Sequence, residues 1–191
     1  MNFKESLFQM FEVSDDQADL ILSKFQEEHL NKNDLFLSEG KHCQKLSFIS
    51  SGYCRVFKMT PNKEVTQWIG GNGYFITDLA SFLFDQKAIW SIDALTPVTL
   101  WTLNKKDYLT LENEIPDWNV LEKRFIAKCF MTLEQRIFNF IALSAEERYL
   151  HYFEQQKDLF NQVPLQYIAS VLGMSPETLS RIRNKSLQTK P

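Results

Sequence analysis

The sequence predicts an α+β fold. An N-terminal antiparallel β-roll of the double-stranded jelly-roll type, flanked by helices, precedes a long dimerisation helix and a C-terminal helix-turn-helix. Strand-length apolar pieces fill residues 34–103, an unbroken helical pattern covers residues 116–143, and two short helical segments meet at Gly173. These patterns divide the chain into a roll domain (1–115), the long helix (116–143) and a helix-turn-helix domain (144–191).

The first 30 residues predict helical structure. Ser14 followed by Gln17 forms a capping box, in which each side chain bonds the backbone N–H of the other residue. Apolar residues at 20–22 and at Phe25 give the following turns a buried face. We therefore expect helices to flank the roll at its N-terminal side.

The residue pattern of 34–103 is typical of a β-roll. Short runs rich in Phe, Ile, Val and Trp alternate with turn residues, which predicts many antiparallel strands. Gly52 and the glycines at 70–73 are typical of tight hairpin corners, because glycine tolerates positive φ. The roll either holds a small ligand or is filled by its own aromatic side chains. The candidates for filling are Phe75, Phe82, Phe84 and Trp90.

The long helix carries two apolar stripes. Pro116 suits a first helical position, and neither Gly nor Pro interrupts the next 27 residues. That length corresponds to about 40 Å at 1.5 Å per residue. One stripe has the 3-4-3 spacing of a helix-pairing seam and consists of Phe130, Leu133, Ile137 and Phe140. The other stripe, which can pack on the roll, consists of Trp118, Leu121 and Phe125. One small roll cannot easily bury both, so we expect a homodimer paired along this helix; a core helix within one chain is the alternative.

The C-terminal region predicts a helix-turn-helix. Ser144 and Glu147 form a second capping box at the start of one helix. Further along, Gly173 lies where a tight turn needs a left-handed residue, and Ser175-Pro176 gives an N-cap followed by proline at the first helical position. Two short helices joined by such a turn form a helix-turn-helix, whose second helix enters the DNA major groove N-terminus first.

Polar side chains around this turn predict DNA contacts. Arg181 can bond guanine bidentately, and Glu177 can accept a hydrogen bond from cytosine. Arg183 and Lys185 lie where phosphates would run. The predicted DNA-binding residues are Gln166, Ser175, Glu177, Thr178, Ser180, Arg181, Arg183 and Lys185. The alternative is a short amphipathic helical hairpin with a solvated charged face.

Taken together, these segments resemble the Crp/Fnr family of bacterial transcription regulators over nearly the whole chain. LFLSEG, LSFISSGYCRVF and GNGYFITDLASF resemble its cyclic-nucleotide-binding-type sensor domain, and IASVLGMSPETLSRI resembles its helix-turn-helix. The resemblance implies a homodimeric, sequence-specific regulator that binds an inverted-repeat operator in double-stranded DNA, with RNA polymerase as a further candidate partner. The set Glu177, Ser180 and Arg181 is more similar to the Fnr type of recognition helix, although Pro176 stands where many members have arginine. Only SLQTKP follows Lys185, so we expect no β-hairpin wing there.

The candidate ligand pocket departs from the members of this family that bind cyclic nucleotides. Their Gly-Glu pair corresponds to Thr77-Asp78, and their Arg-Ser/Thr pair corresponds to Ala88-Ile89. The base-contacting helix positions fall near Leu133, without the usual hydroxyls. A buried phosphodiester needs a cation or several N–H donors. We therefore predict that cAMP is not bound tightly, predict no cofactor and leave the effector open. The candidate pocket residues are Thr77, Asp78, Leu79, Ala80, Ala88, Ile89 and Leu133.

The number and spacing of the three cysteines limit which kinds of sensor site are possible. Cys43, Cys54 and Cys129 do not supply the four thiolates of an iron–sulfur sensor, whereas haem ligation by Cys or His stays open. Their odd number, without a C-x-x-C motif, favours a reducing cytoplasm over a disulfide framework. Cys43 and Cys54 could face each other across a hairpin as a redox pair, although inert thiols are the simpler interpretation.

The charge of the chain is uneven. The total is −3, which by itself disfavours nucleic acid. Residues 163–191 nevertheless carry a net charge of +3, because Glu177 is their only anion. Their cations are Arg181, Arg183, Lys185 and Lys190. The basic end coincides with the predicted helix-turn-helix, where binding to phosphates needs it.

Other classes of protein are less consistent with the sequence. No run of about 18 apolar residues predicts a membrane span, and the first residues lack the apolar core of a secretory signal, so we expect a cytoplasmic protein. A cupin-like metal enzyme would need converging ligands, but His29, His42 and His151 are widely separated. A sensor or interaction module that has lost DNA binding is the other alternative.

Overall fold

The computed structural model describes residues 3–188, and the side chains of residues 3–186. Lys190, one of the cations counted above, lies outside the described residues. The strands are β1 (Gln26–Leu30), β2 (Leu35–Leu37), β3 (Lys45–Ser51), β4 (Cys54–Met59), β5 (Glu64–Gly70), β6 (Phe75–Ile76), β7 (Ser91–Ala94) and β8 (Val98–Asn104). The helices are α1 (Phe3–Phe11), α2 (Asp15–Ser23), α3 (Leu79–Phe84), α4 (Lys105–Glu114), α5 (Trp118–Ala142), α6 (Ala145–Gln155), α7 (Leu159–Gln162), α8 (Leu165–Val171) and α9 (Pro176–Gln188).

The strands form two four-stranded antiparallel sheets that enclose an apolar core. Their strand orders are β1-β8-β3-β6 and β2-β7-β4-β5. Phe48, Ile49, Ile92 and Leu100 are among its most deeply buried side chains. The predicted α+β class with a double-sheet roll is confirmed, and the side chain of Ser14 caps α2 as the capping box predicts.

The prediction of helix over the first 30 residues is wrong at its end. Gln26–Leu30 forms β1, which pairs with β8 from Gln26 opposite Thr102 to Leu30 opposite Val98. The local sequence QEEHL has no strong strand pattern, so its conformation is set by the backbone hydrogen bonds that β8 offers. Pairing with a distant strand therefore overrides local propensity here.

Two predictions about the interior of the roll need correction. Phe82 is buried and Phe75 packs against the core, but Phe84 is 70% exposed because it ends α3 beside Asp85, which has φ 56. Cys43 and Cys54 do not face each other across a hairpin, since Cys43 precedes β3 of one sheet and Cys54 begins β4 of the other. Burial raises the pKa of the Cys54 thiol to about 12, which keeps it protonated.

The long helix is α5, and its first turns pack on the roll as predicted. It begins at Trp118 rather than at Pro116, because Asp117 adopts a left-handed conformation with φ 64. Trp118, Leu121 and Phe125 are buried, and the ring of Phe125 stacks on that of Phe11 at a centroid distance of 5.1 Å. Within residues 3–188, no helix combines the length and apolar composition needed to cross a bilayer.

The C-terminal helices share a second core with the roll. Tyr149, Leu159, Ile168 and Leu179 come from the helical part, and Ile69 of β5 is buried among them. The second capping box is present, because the Ser144 side chain accepts a hydrogen bond from Glu147 N–H. Gly173 links α8 to α9 with φ +66, as the predicted turn requires.

Gly173 offers a test of this packing. A Cβ at Gly173 would lie 2.6 Å from Cε1 of Phe140, whereas a Cβ at Gly40 (φ +80) would meet nothing within 4 Å. Gly40→Ala therefore measures backbone strain alone, which we expect to lower the free energy of unfolding by about 1–2 kcal/mol. Gly173→Ala should lose about 1–3 kcal/mol more, because α5 must also move. Urea unfolding measures both, and equal losses would contradict the close contact between α5 and the turn.

Candidate nucleic-acid interface and effector pocket

The start of α9 presents a polar face to solvent. Ser175 caps the helix by accepting a hydrogen bond from Thr178 N–H at 3.2 Å. Glu177, Ser180 and Arg181 are exposed, as the sequence predicts. Asn184 lies on the same open surface and was missed by sequence reasoning, although its spacing from Glu177 and Arg181 places it on the same face.

The ionised states of this face suit hydrogen bonding to bases. The backbone N–H and the Ser175 hydroxyl lower the pKa of Glu177, so its carboxylate stays an acceptor at neutral pH. The part of the chain that the structure describes places no ion-pair partner beside Arg181. Its guanidinium is thus available for a bidentate contact.

The other predicted DNA-binding residues differ in availability. Gln166 is exposed near the start of α8, and Arg183 is half-buried on α9. Lys185 is paired with Glu146 of α6, with Nζ 2.9 Å from the carboxylate. A phosphate contact by Lys185 would therefore have to replace this exposed ion pair.

The predicted dimer seam lies on the half of α5 beyond the roll. Phe130, Leu133 and Ile137 are 58%, 43% and 52% exposed. Phe140 is 41% exposed, and in addition its ring packs against Gly173 and lies 5.1 Å from the guanidinium of Arg148. Further apolar side chains, which the spacing did not single out, are exposed on the same helix: Met131, Phe138 and Ile141.

The candidate pocket residues around α3 are brought together, and Asp78 satisfies their donors. The Asp78 carboxylate is buried and accepts hydrogen bonds from Ser81 N–H at 3.0 Å and from Ile89 N–H at 2.9 Å. The Thr77 hydroxyl donates to the carbonyl of Lys45 at 2.9 Å. Leu79 and Ala80 form the first turn of α3. An internal anion thus occupies amide donors that an external anion would need.

The remaining predicted pocket residues do not supply a cation. Ala88 is buried, while Ile89 is 52% exposed. Leu133 lines a different depression, between Trp68 and Phe125, and is not brought to Asp78 within one chain. A cyclic phosphate in this pocket would face the Asp78 carboxylate without a compensating charge, so the residues present do not fit it.

A buried arginine, which sequence reasoning missed, joins the roll to the helix-turn-helix. Arg55 of β4 donates from Nε and Nη2 to the carboxylate of Asp93 at 2.9 and 2.7 Å, and from Nη1 to Glu64. Its guanidinium lies 4.0 Å from the ring centroids of both Phe57 and Tyr167. Burial lowers the pKa of Arg55, but the two carboxylates outweigh it and raise the pKa overall. Because Tyr167 belongs to α8, the contact spans both parts of the chain.

Comparison with known proteins agrees with this architecture. Residues 27–114 match the family described as the cyclic nucleotide-binding domain. No curated protein sequence matches the chain. Among solved structures, the catabolite activator protein of Thermus thermophilus has a TM-score of 0.60 and 23% identity, with 96% of this chain and 87% of that one covered.

Two further structures have the same fold. A transcriptional regulator of the Crp/Fnr family from Eubacterium rectale has a TM-score of 0.69 and 17% identity, covering 93% of this chain and 85% of that one. FixK2 from Bradyrhizobium japonicum has a TM-score of 0.70 and 15% identity, covering 84% and 83%. The resemblance predicted from the sequence is confirmed at the level of the fold.

The α3 pocket predicts a weak response to cAMP. Isothermal titration should give an affinity weaker than the micromolar range, because none of residues 77–80, 88 and 89 supplies a cation to a cyclic phosphate and the Asp78 carboxylate already occupies nearby N–H donors. The control is a variant with Thr77→Gly, Asp78→Glu, Ala88→Arg and Ile89→Ser, which carries the residue types of cyclic-nucleotide-binding members and should bind more tightly. Micromolar binding by the unaltered chain would contradict the prediction.

Proposed function

Because residues 27–114 carry a cyclic nucleotide-binding-type domain and the whole chain has the fold of Crp/Fnr regulators, we propose that this protein is a homodimeric, sequence-specific DNA-binding transcription regulator. It acts in the cytoplasm without catalysis and responds to a signal other than tightly bound cAMP. The observation that carries the proposal is the exposed polar face at the start of α9.

The chemistry of that face supports sequence reading. Glu177 and Arg181 lie one helical turn apart and offer an ionised acceptor and an unpaired forked donor. In the major groove these groups match cytosine and guanine, respectively. A merely solvated charged face would not require the N-cap, the left-handed Gly173 and the exposed Arg181 to occur together.

A homodimer would complete the proposed site. Pairing of two copies along the exposed seam of α5 would bury side chains such as Phe130 and Ile137, which one chain leaves in water. The two copies of α9 would then be related by a two-fold axis. Such a dimer reads an inverted repeat with half-sites about 34–36 Å apart. RNA polymerase is the further partner that a regulator of this type would contact.

One observation favours the second candidate, a sensor module that no longer binds DNA. Lys185 on α9 is held by Glu146 of α6, which withdraws one cation from the predicted phosphate contacts. Among the described residues Arg181 has no ion-pair partner, and the exposed Glu177 carboxylate can accept a hydrogen bond from a base in addition to those within its helical turn, so we retain DNA binding as the proposal.

Two arginines of α9 distinguish base reading from phosphate binding. After operator fragments have been selected from genomic DNA, Arg181→Ala should lose about 1–3 kcal/mol of binding free energy on the operator and much less on random DNA. The control, Arg183→Ala, removes a predicted phosphate contact and should weaken binding to operator DNA and to random DNA by similar amounts. Fluorescence anisotropy measures the six affinities of the unaltered chain and the two variants on both DNAs. Equal losses on both DNAs for Arg181→Ala would mean that it contacts only phosphate.

The dimer seam predicts a change of oligomeric state. Ile137→Glu places a charge in the seam and should shift the protein to monomers in sedimentation velocity, with loss of operator affinity, because a buried unpaired carboxylate is unfavourable. The matched control is Val120→Glu, an exposed apolar position on the same helix outside the seam. A dimer that survives Ile137→Glu unchanged would exclude pairing along this stripe.

A further inference from the structure

A cavity of about 380 Å³ lies where the roll, α5 and the helix-turn-helix domain meet. Trp68 and Tyr74 line it from the roll, Arg136 and Phe140 from α5, and Tyr152 from α6. We name this space the junction cavity. Its volume is in the range of small-molecule sites. None of the α3 pocket residues lines it, so it is separate from the cyclic-nucleotide position.

The walls of the junction cavity are largely aromatic and apolar. Trp68 packs edge-on against Tyr74, with ring centroids 5.5 Å apart. Phe140, Met131 and Ile69 add further apolar surface. Such walls favour a ligand with a flat apolar body, because ring faces stack and displace weakly held water.

The charged side chains of the cavity are all cations. Arg136 and Arg148 line it, and none of the lining residues is Asp or Glu. Arg136 donates from Nη2 to the carbonyl of Gln67 at 2.7 Å and lies 4.7 Å from the Trp68 ring centroid. Arg148 donates to the carbonyls of Leu143 and Leu172. Among the described residues, neither arginine has a carboxylate within ion-pair distance.

Arg136 is half-buried, which makes its lack of a counter-charge among the described residues significant. Partial removal from water lowers the pKa of Arg136. Arg55, which is fully buried at the same junction, has two carboxylate partners instead. An anion entering the cavity would give Arg136 the negative counter-charge that Asp93 and Glu64 give Arg55.

A second, independent observation points to the same occupant. Among the described residues, the hydroxyl of Tyr152 is the buried side-chain N or O atom that lacks a hydrogen-bond partner. An unpaired buried hydroxyl is unfavourable, because it loses its hydrogen bonds to water without replacing them. Burial raises the pKa of Tyr152, so the group is a neutral donor, and the nearby charge of Arg136 opposes that rise. A donor beside a cation is the arrangement that an anionic oxygen satisfies.

We propose that the junction cavity binds a small organic anion with a flat apolar body, whose anionic oxygens contact the Arg136 guanidinium and, after a small shift of the Tyr152 ring, its buried hydroxyl, while the apolar body lies among Trp68, Tyr74 and Phe140. The ligand would touch the roll, α5 and α6 at once. It would therefore stabilise one relative arrangement of the sensor and DNA-binding parts. This regulatory role rests on the proposed DNA-binding function, but binding itself does not.

The probe for the test is 8-anilinonaphthalene-1-sulfonate, a flat aromatic anion, with neutral N-phenyl-1-naphthylamine as its uncharged counterpart. Fluorescence titration of the full chain should show one saturable site per protomer for the anion and markedly weaker binding of the neutral probe. Arg136→Gln should weaken binding of the anionic probe by about tenfold or more, and Tyr152→Phe should weaken its binding by about three- to tenfold. Arg124→Gln is the matched control, because Arg124 lies on the same helix but pairs with Glu12 outside the cavity.

Folding of the variants is checked by thermal unfolding. Tyr152→Phe is nearly isosteric and removes an unpaired hydroxyl, so its Tm without probe should not fall. Arg136→Gln keeps a donor for the Gln67 carbonyl. Unchanged affinity of the anion in both variants, or equal affinity of the charged and neutral probes, would overturn the proposal.

A second experiment, on operator binding, tests this proposal separately from the proposed function. Saturating anion should change operator affinity at least about threefold in the unaltered chain and not in Arg136→Gln. An anion that binds as predicted to a chain that ignores operator DNA would refute the proposed function and leave the site intact. Operator binding without probe binding would refute the site alone.

Discussion

The guanidinium of Arg55 is the group on which the arrangement of this molecule depends. A buried cation is tolerated only where it is paired and hydrogen-bonded, and Arg55 meets this condition through Asp93 of β7 and Glu64 of β5. Its flat faces lie against Phe57 and Tyr167. Because Tyr167 belongs to α8, the roll cannot separate from the helix-turn-helix without exposing one face of this cation. A hydrogen bond from Thr66 N–H to the Ser170 hydroxyl, at 2.9 Å, lies beside it.

The α3 pocket and the domain junction differ in how their polar groups are paired. The Asp78 carboxylate already satisfies the amide donors of the α3 pocket, so that pocket is closed by the chain itself. The junction, in contrast, contains a cation without a counter-charge and a buried hydroxyl without a hydrogen-bond partner among the residues that the structure describes. Among the described residues, the N–H donors at the cyclic-nucleotide position are therefore paired with an internal carboxylate. At the junction, a cation and a buried hydroxyl are not paired.

Local patterns predicted most of the secondary structure, and the exceptions share one cause. The capping boxes at Ser14 and Ser144 and the turn at Gly173 appear where the sequence places them. The local sequence of β1 predicts helix, but its conformation comes from pairing with β8 about 70 residues later in the chain. The exposed position of Phe84 likewise follows from how α3 ends on the roll. Sequence periodicity reports one element at a time and cannot show which surface that element meets.

The same division holds for function. The sequence by itself determined the class of fold and the polar face of α9, because N-caps, glycine turns and helical spacing act over a few residues. Only the tertiary structure decided that Asp78 closes the α3 pocket, that Arg55 ties β4 to α8, and that Arg136 and Tyr152 share a cavity. Each of these depends on groups far apart in the chain, and burial changes the charge balance and hydrogen bonding of a side chain only once such groups are packed together.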